Sequence, residues 1–132
     1  MATNASPLIA PKTVLVVEDS PTEAENIRAV LVEMGLQVVL AVDGPDGLQK
    51  VQEIHPDLVV MDVNMPGMNG FQVVRALKRD PQCVAIPVVM LTTNDAPESV
   101  MIGLDSGVID YIPKDVFAMS VLVETIRQMG LI

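Results

Sequence analysis

A chain of 132 residues, half of them apolar, has the size of one domain and enough apolar mass for a buried core. Its net charge of −9 argues against nucleic acid as a direct partner, because phosphate backbones demand basic patches. The single cysteine excludes an internal disulfide, and with one histidine it excludes a zinc cluster.

Residues 1–12 lack the basic start and apolar centre of a signal peptide and read as a short flexible arm. The rest, 13–132, reads as one domain that ends soon after its last helix, as expected equally of a stand-alone regulator and of a domain excised from a larger protein. Its apolar stretches are strand-length, well below the roughly 18 residues of a membrane span. A cytoplasmic protein without membrane insertion is the expectation.

Short apolar runs alternate with longer segments of helical period, the pattern of repeated βα units. The runs predict strands near 13–17, 37–42, 57–61, 87–91 and 109–112, and the segments predict helices near 21–34, 45–54, 69–79, 96–106 and 115–129. Ser20-Pro21 offers an N-cap with proline at the first helical position, and Gly35 and Gly107 read as helix stops. Asp43-Gly44 reads as a turn, as do Gly67 and Gly70. His55 precedes Pro56-Asp57 in another turn and reads as surface filler. Asp95 and Pro97 suit the opening of the fourth helix, and Asp115 suits the cap of the fifth. In that last helix Val116, Phe117, Leu122, Ile126 and Met129 fall mainly on one face, while Met119, Val123 and Leu131 are candidates for a docking patch. Cys83 sits in a loop as an incidental thiol, and Met34, Met61, Met90 and Met129 read as core filling. Strands without polar alternation need helices on both faces. Right-handed crossovers then make an α/β, doubly wound, five-stranded parallel sheet, a (βα)5 three-layer sandwich.

Four of the runs end in residues able to serve one site. Run 13–17 leads into Glu18-Asp19, 58–61 into Asp62, 88–91 into Thr92, and 109–112, through Pro113, into Lys114. In one parallel sheet all these endings share the carboxyl edge, where open α/β sheets bind ligands. Three acids at close quarters repel one another and raise their pKa values, and a hard divalent cation such as Mg²⁺ offsets that repulsion. With a hydroxyl and an amine added, the set suits a phosphoryl group handled on a metal.

The segment Asp62-Val63-Asn64-Met65-Pro66-Gly67-Met68-Asn69-Gly70 resembles the D-x-x-M-P-x-M-[DN]-G stretch of the receiver domain of bacterial two-component response regulators. The resemblance extends to Glu18-Asp19, Thr92, Tyr111 and Lys114 and covers about residues 13–129, nearly the whole chain. It implies a flavodoxin-like strand order of 2-1-3-4-5. It also implies that Asp62 is the phosphoacceptor, taking a phosphoryl group from a sensor histidine kinase or a histidine phosphotransfer protein. Asp19, Asp62 and the backbone carbonyl of Asn64 would hold Mg²⁺, with Glu18 helping through water. Lys114 would pair with a phosphoryl oxygen, and Thr92 would donate its hydroxyl to another. Tyr111 would then turn inward as the second half of a switch, altering the surface made by the fourth helix, fifth strand and fifth helix for an unidentified protein target. Such a domain assists its own phosphorylation and dephosphorylation without being a turnover enzyme, and it is a monomer or a weak phosphorylation-linked dimer.

Two positions depart from the family pattern. Lys114 is followed by Asp115 where the family usually has proline, so a trans bond is expected there and the loop could hold the lysine differently. Thr93 replaces a smaller residue, and Thr93 and Asn94, with Asn64, are expected to tune the lifetime of the phosphoryl group. Three other readings compete. A phosphorylation-independent interaction module on the same fold is disfavoured by the retained acids, hydroxyl and lysine. A metal-dependent phosphatase lacks a second acid two residues after Asp62. A flavin carrier would meet repulsion from Glu18-Asp19 and lacks the aromatics that flank the ring.

Overall fold

The computed structural model describes residues 11–93 and 108–132. Among these described residues nine elements follow in chain order: β1 (Thr13–Val17), α1 (Pro21–Glu33), β2 (Gln37–Ala41), α2 (Gly44–Ile54), β3 (Leu58–Asp62), α3 (Gly70–Arg79), β4 (Val88–Thr92), β5 (Asp110–Pro113) and α4 (Ala118–Gln128). The expected helix near 96–106, with Asp95, Pro97 and Gly107, lies outside the described residues, as do Asn94 and most of the N-terminal arm. Helix α4 is therefore the fifth helix of the sequence reading.

The strands form one parallel sheet in the order β2-β1-β3-β4-β5. Alternation along each strand sorts the core into two layers. Leu15, Val17, Val59, Met61, Val88 and Met90 pack with Val51 of α2 and with Val73, Val74 and Leu77 of α3. Val14, Val16, Leu58, Val60, Val89, Leu91 and Ile112 face the other way, with Ile27 and Leu31 of α1 and Leu122 and Ile126 of α4. Every residue of β3 and β4 is buried, which explains why both are apolar up to the polar residues that end them, Asp62 and Thr92. Full burial of each apolar side chain contributes about 1.5–3 kcal/mol.

Local chemistry sets the helix limits. The Ser20 hydroxyl accepts from Glu23 N, with Pro21 beginning α1, and Gly35 lies just past its end at φ +90°, a conformation glycine adopts without a Cβ penalty. Asn69 and Gln72 form a reciprocal capping box at the start of α3. Among the described residues no cis peptide bond occurs, and no helix is long and apolar enough to cross a membrane.

Several sequence expectations need correction. Asp43-Gly44 is the start of α2 rather than a free turn, since the Asp43 carboxylate caps Asp46 N at 2.8 Å. Asp115 does not cap the last helix. Its carboxylate accepts from Phe117 N at 2.8 Å, which turns the chain before α4 begins at Ala118. The delayed start removes Val116 and Phe117 from the buried face, leaving them 89% and 66% exposed. Met34 is also exposed, because α1 ends just before it. Cys83 lies in the turn after α3 as expected, but its side chain is buried against the core, and burial, aided by the nearby Asp80 carboxylate, pushes its thiol pKa up.

Candidate functional site

The chain leaves β1 towards β2 on one side, while β3 lies on the other. The crevice at the carboxyl ends of β1 and β3 is therefore the switch point where such sheets bind ligands. Val17 and Met61 are level in the ladder, so the next residues, Glu18 and Asp62, emerge side by side. Carboxylate oxygens of Glu18, Asp19 and Asp62 all lie within 4.8 Å of one another, the first and last buried and Asp19 exposed. Oxygen donors alone, one of them open to solvent, fit a hard cation such as Mg²⁺.

The surrounding backbone fixes the two buried acids. Glu18 N donates to Ala41 O at 3.0 Å, and Glu18 Oε1 accepts from Ser20 N at 3.1 Å. Asp62 Oδ1 accepts from Asn64 N at 3.1 Å. Behind Asp62 stands Gly70, where an added Cβ would meet the Asp62 carbonyl oxygen at 2.6 Å and Met90 Cε at 2.8 Å. That glycine is a packing requirement of the site more than a turn.

Lys114 reaches the same crevice from the end of β5. Its backbone N donates to Thr92 O at 2.7 Å, continuing the ladder one residue past the strand. Its Nζ lies 2.9 Å from Glu18 Oε2, 2.9 Å from Glu23 Oε1 and 3.4 Å from Asp62 Oδ1. The Asp115 carboxylate is engaged with Phe117 N, so the residue in the family's proline position turns the chain and leaves the lysine to the acids.

These contacts decide the charge states. Burial is the largest influence on Glu18 and pushes its carboxyl up to about 7; bonds from Lys114 and Ser20 oppose this, and the charge of Asp62 adds to it. Crowding among the acids, expected from the sequence to raise their pKa values, does so at Glu18 through Asp62 but is secondary there to desolvation. Burial works against the Lys114 ammonium, but hydrogen bonds to Glu18 and Glu23 and the charge of Asp62 outweigh it, holding Lys114 above the usual lysine range.

Thr92 is buried at the end of β4, one residue past Leu91, which is level with Asp62 on β3. Asn64 Nδ2 donates to Thr92 Oγ1 at 3.3 Å and to Thr93 Oγ1 at 3.1 Å, so one amide ties the motif loop to both hydroxyls. Tyr111, level with Met90 in the ladder, is half-buried and packs against the core layer of α2 and α3. The structure thus brings Glu18, Asp19, Asp62, Asn64, Thr92, Thr93 and Lys114 to one edge, with Tyr111 set back from it. Sequence reasoning missed Glu23, whose signal was its place in the first turn of a helix opening at that edge.

Residues 14–127 match the response regulator receiver domain, and the chain belongs to that family. Its members are signalling modules built around phosphorylation rather than classical enzymes, and they interact with histidine kinases or phosphotransfer proteins. The protein PilH of Pseudomonas aeruginosa is 43% identical over 103 residues, which are 78% of this chain and 85% of that protein. The DNA-binding response regulator MtrA of Mycolicibacterium smegmatis is 42% identical over 101 residues, 76% of this chain but only 43% of MtrA. Among solved structures, the chemotaxis protein CheY4 of Vibrio cholerae superposes with a TM-score of 0.83 at 34% identity, covering 90% of this chain and 98% of that one.

Proposed function

We propose that this chain is a phosphorylation-dependent switch in the cytoplasm whose acceptor is Asp62. A sensor histidine kinase or a histidine phosphotransfer protein would be the donor. The observation that carries the reading is the meeting of three carboxylates within 4.8 Å, with the Lys114 ammonium 3.4 Å from one of them, at the residues matching the family motif.

One Asp62 carboxylate oxygen attacks phosphorus. The bond from phosphorus to the donor breaks, and its electron pair leaves with the donor group. Phosphoryl transfer needs positioning and charge neutralisation more than covalent help, so a carboxylate suffices as nucleophile. Asp19, Asp62 and the Asn64 carbonyl would hold Mg²⁺, with Glu18 assisting. Bound there, the ion would offset negative charge on the carboxylates and on the incoming oxygens. Lys114 supplies a second positive charge to the transferred group. Thr92 then donates to a phosphoryl oxygen, a contact that exists only in the phosphorylated state, and the population shifts towards an inward Tyr111. The output surface would include β5 and α4. Asn64 and Thr93, linked by the hydrogen bond from the Asn64 side-chain amide to the Thr93 hydroxyl, would with Asn94 set the lifetime of the acyl phosphate.

Intact mass after incubation with acetyl phosphate tests the reading, with and without Mg²⁺ and alongside Asp62→Asn. The expected result is a Mg²⁺-dependent gain of one phosphoryl group that the variant lacks. No gain in a folded wild-type protein would overturn it in favour of a phosphorylation-independent interaction module.

A further inference from the structure

We propose that Glu23 is the resting partner of Lys114 and the group that gives way when Lys114 turns to a phosphoryl oxygen on Asp62. The proposal deepens the phosphoacceptor reading and rests on it. Its basis is the count of contacts around one ammonium. Lys114 Nζ has three N–H donors and three carboxylates around it, with hydrogen bonds of 2.9 Å to Glu18 and Glu23 and Asp62 Oδ1 at 3.4 Å. Its side chain is only 13% exposed, so water cannot readily substitute for those partners. The two hydrogen bonds use two of those donors and the third faces Asp62, so a phosphoryl oxygen there meets the third, and drawing the ammonium further towards that group stretches its bond to Glu18 or to Glu23.

The three acceptors differ in what release costs them. Asp62 carries the new group and stays. The Glu18 side chain is 1% exposed and held by Ser20 N, so packing leaves it little room to move away from Lys114. Glu23 is 48% exposed and stands in the first turn of α1, where solvent and the positive end of the helix both receive a freed carboxylate well. A cavity of about 250 Å³ between α1 and α4, lined by Glu23, Asn26, Lys114 and Ala118 among others, gives the side chain room to swing. Glu23 therefore yields. In the resting state it positions Lys114 and competes with the phosphoryl group for it, so it slows acquisition of that group.

The test is the rate of phosphorylation by acetyl phosphate with Mg²⁺, followed by intact mass, for wild type, Glu23→Gln and Glu23→Asp. Gln removes the charge; Asp keeps it but is one methylene too short to span the 2.9 Å contact. Both variants are expected to be phosphorylated about two- to fivefold faster, the range covered by a partly exposed ion pair. Rates equal to wild type in both, or slower in either, would overturn the proposal. A faster Gln variant with an Asp variant at the wild-type rate would also overturn it, since general charge repulsion of the donor would then be the cause. Wild-type protein that takes up no phosphoryl group would overturn the phosphoacceptor reading and this inference with it, whereas phosphorylated wild type with unmoved variants overturns the inference alone.

Discussion

Gly70→Ala sets local propensity against tertiary packing, and the two predict opposite signs. Gly70 opens α3 behind its Asn69 cap, and its φ is not in the positive range, so alanine suits the backbone there. On propensity alone the change would stabilise by up to about 1 kcal/mol. The new methyl, however, would sit 2.6 Å from the Asp62 carbonyl oxygen, 2.8 Å from Met90 Cε and 3.0 Å from Val63 Cα. Met90 Cε ends a flexible side chain and can move. The other two atoms are backbone of β3 and the turn after it, so relief requires the start of α3 to lift away from the sheet. Overpacking of this kind costs about 1–3 kcal/mol, and a backbone contact of 2.6 Å belongs at the upper end, so a net loss of about 2 kcal/mol is expected. Urea unfolding at equilibrium measures it, read as a lower midpoint at unchanged slope. A variant as stable as wild type, or more so, would refute the argument that contact with the Asp62 backbone, and not turn geometry, requires glycine here.

Two further outcomes follow from the same contacts. In metal-free protein the folded-state Glu18 carboxyl titrates at about 7 against an ordinary 4.5, so its contribution to stability is complete below about 4.5 and is lost as pH rises through about 7. Urea midpoints of wild type should therefore fall relative to Glu18→Gln between pH 5 and 8, with a slope of at most about 1.4 kcal/mol per pH unit; parallel curves would refute the assignment. Leu122→Ala, at a fully buried position of α4, should cost about 2–5 kcal/mol, while Phe117→Ala just ahead of the helix should stay within about 0.5 kcal/mol, both read by the same unfolding measurement.

The elements legible in the sequence were those decided by neighbours along the chain. The apolar runs Leu58–Met61 and Val88–Leu91 announced central parallel strands because burial on both faces favours an apolar residue at every position up to the strand end. Ser20-Pro21 marked the start of α1 because a cap and a fixed φ act within one turn. The same locality misled at the last helix. Val116 and Phe117 fit the apolar period, yet the Asp115 carboxylate takes Phe117 N and delays the helix to Ala118. Period reports which face a residue would occupy, not whether the helix has begun.

Glu18, Asp19, Asp62, Thr92 and Lys114 were readable as one set because strand endings of a parallel sheet share an edge, a consequence of topology that needs no coordinates. That Glu18 and Asp62 are buried, and that desolvation lifts the Glu18 carboxyl more than its acidic neighbours do, required the packed structure. Glu23 and Lys114 are 91 residues apart, and Gly70 meets the backbone of Asp62 across a loop. Such contacts leave no periodic or local trace, since they depend on where whole elements come to rest. The sequence by itself determined the strands, their common edge and the acids upon it. Only the tertiary structure decided which acids share the lysine, because separations of a few ångströms between distant segments are set by the packing of helices on the sheet.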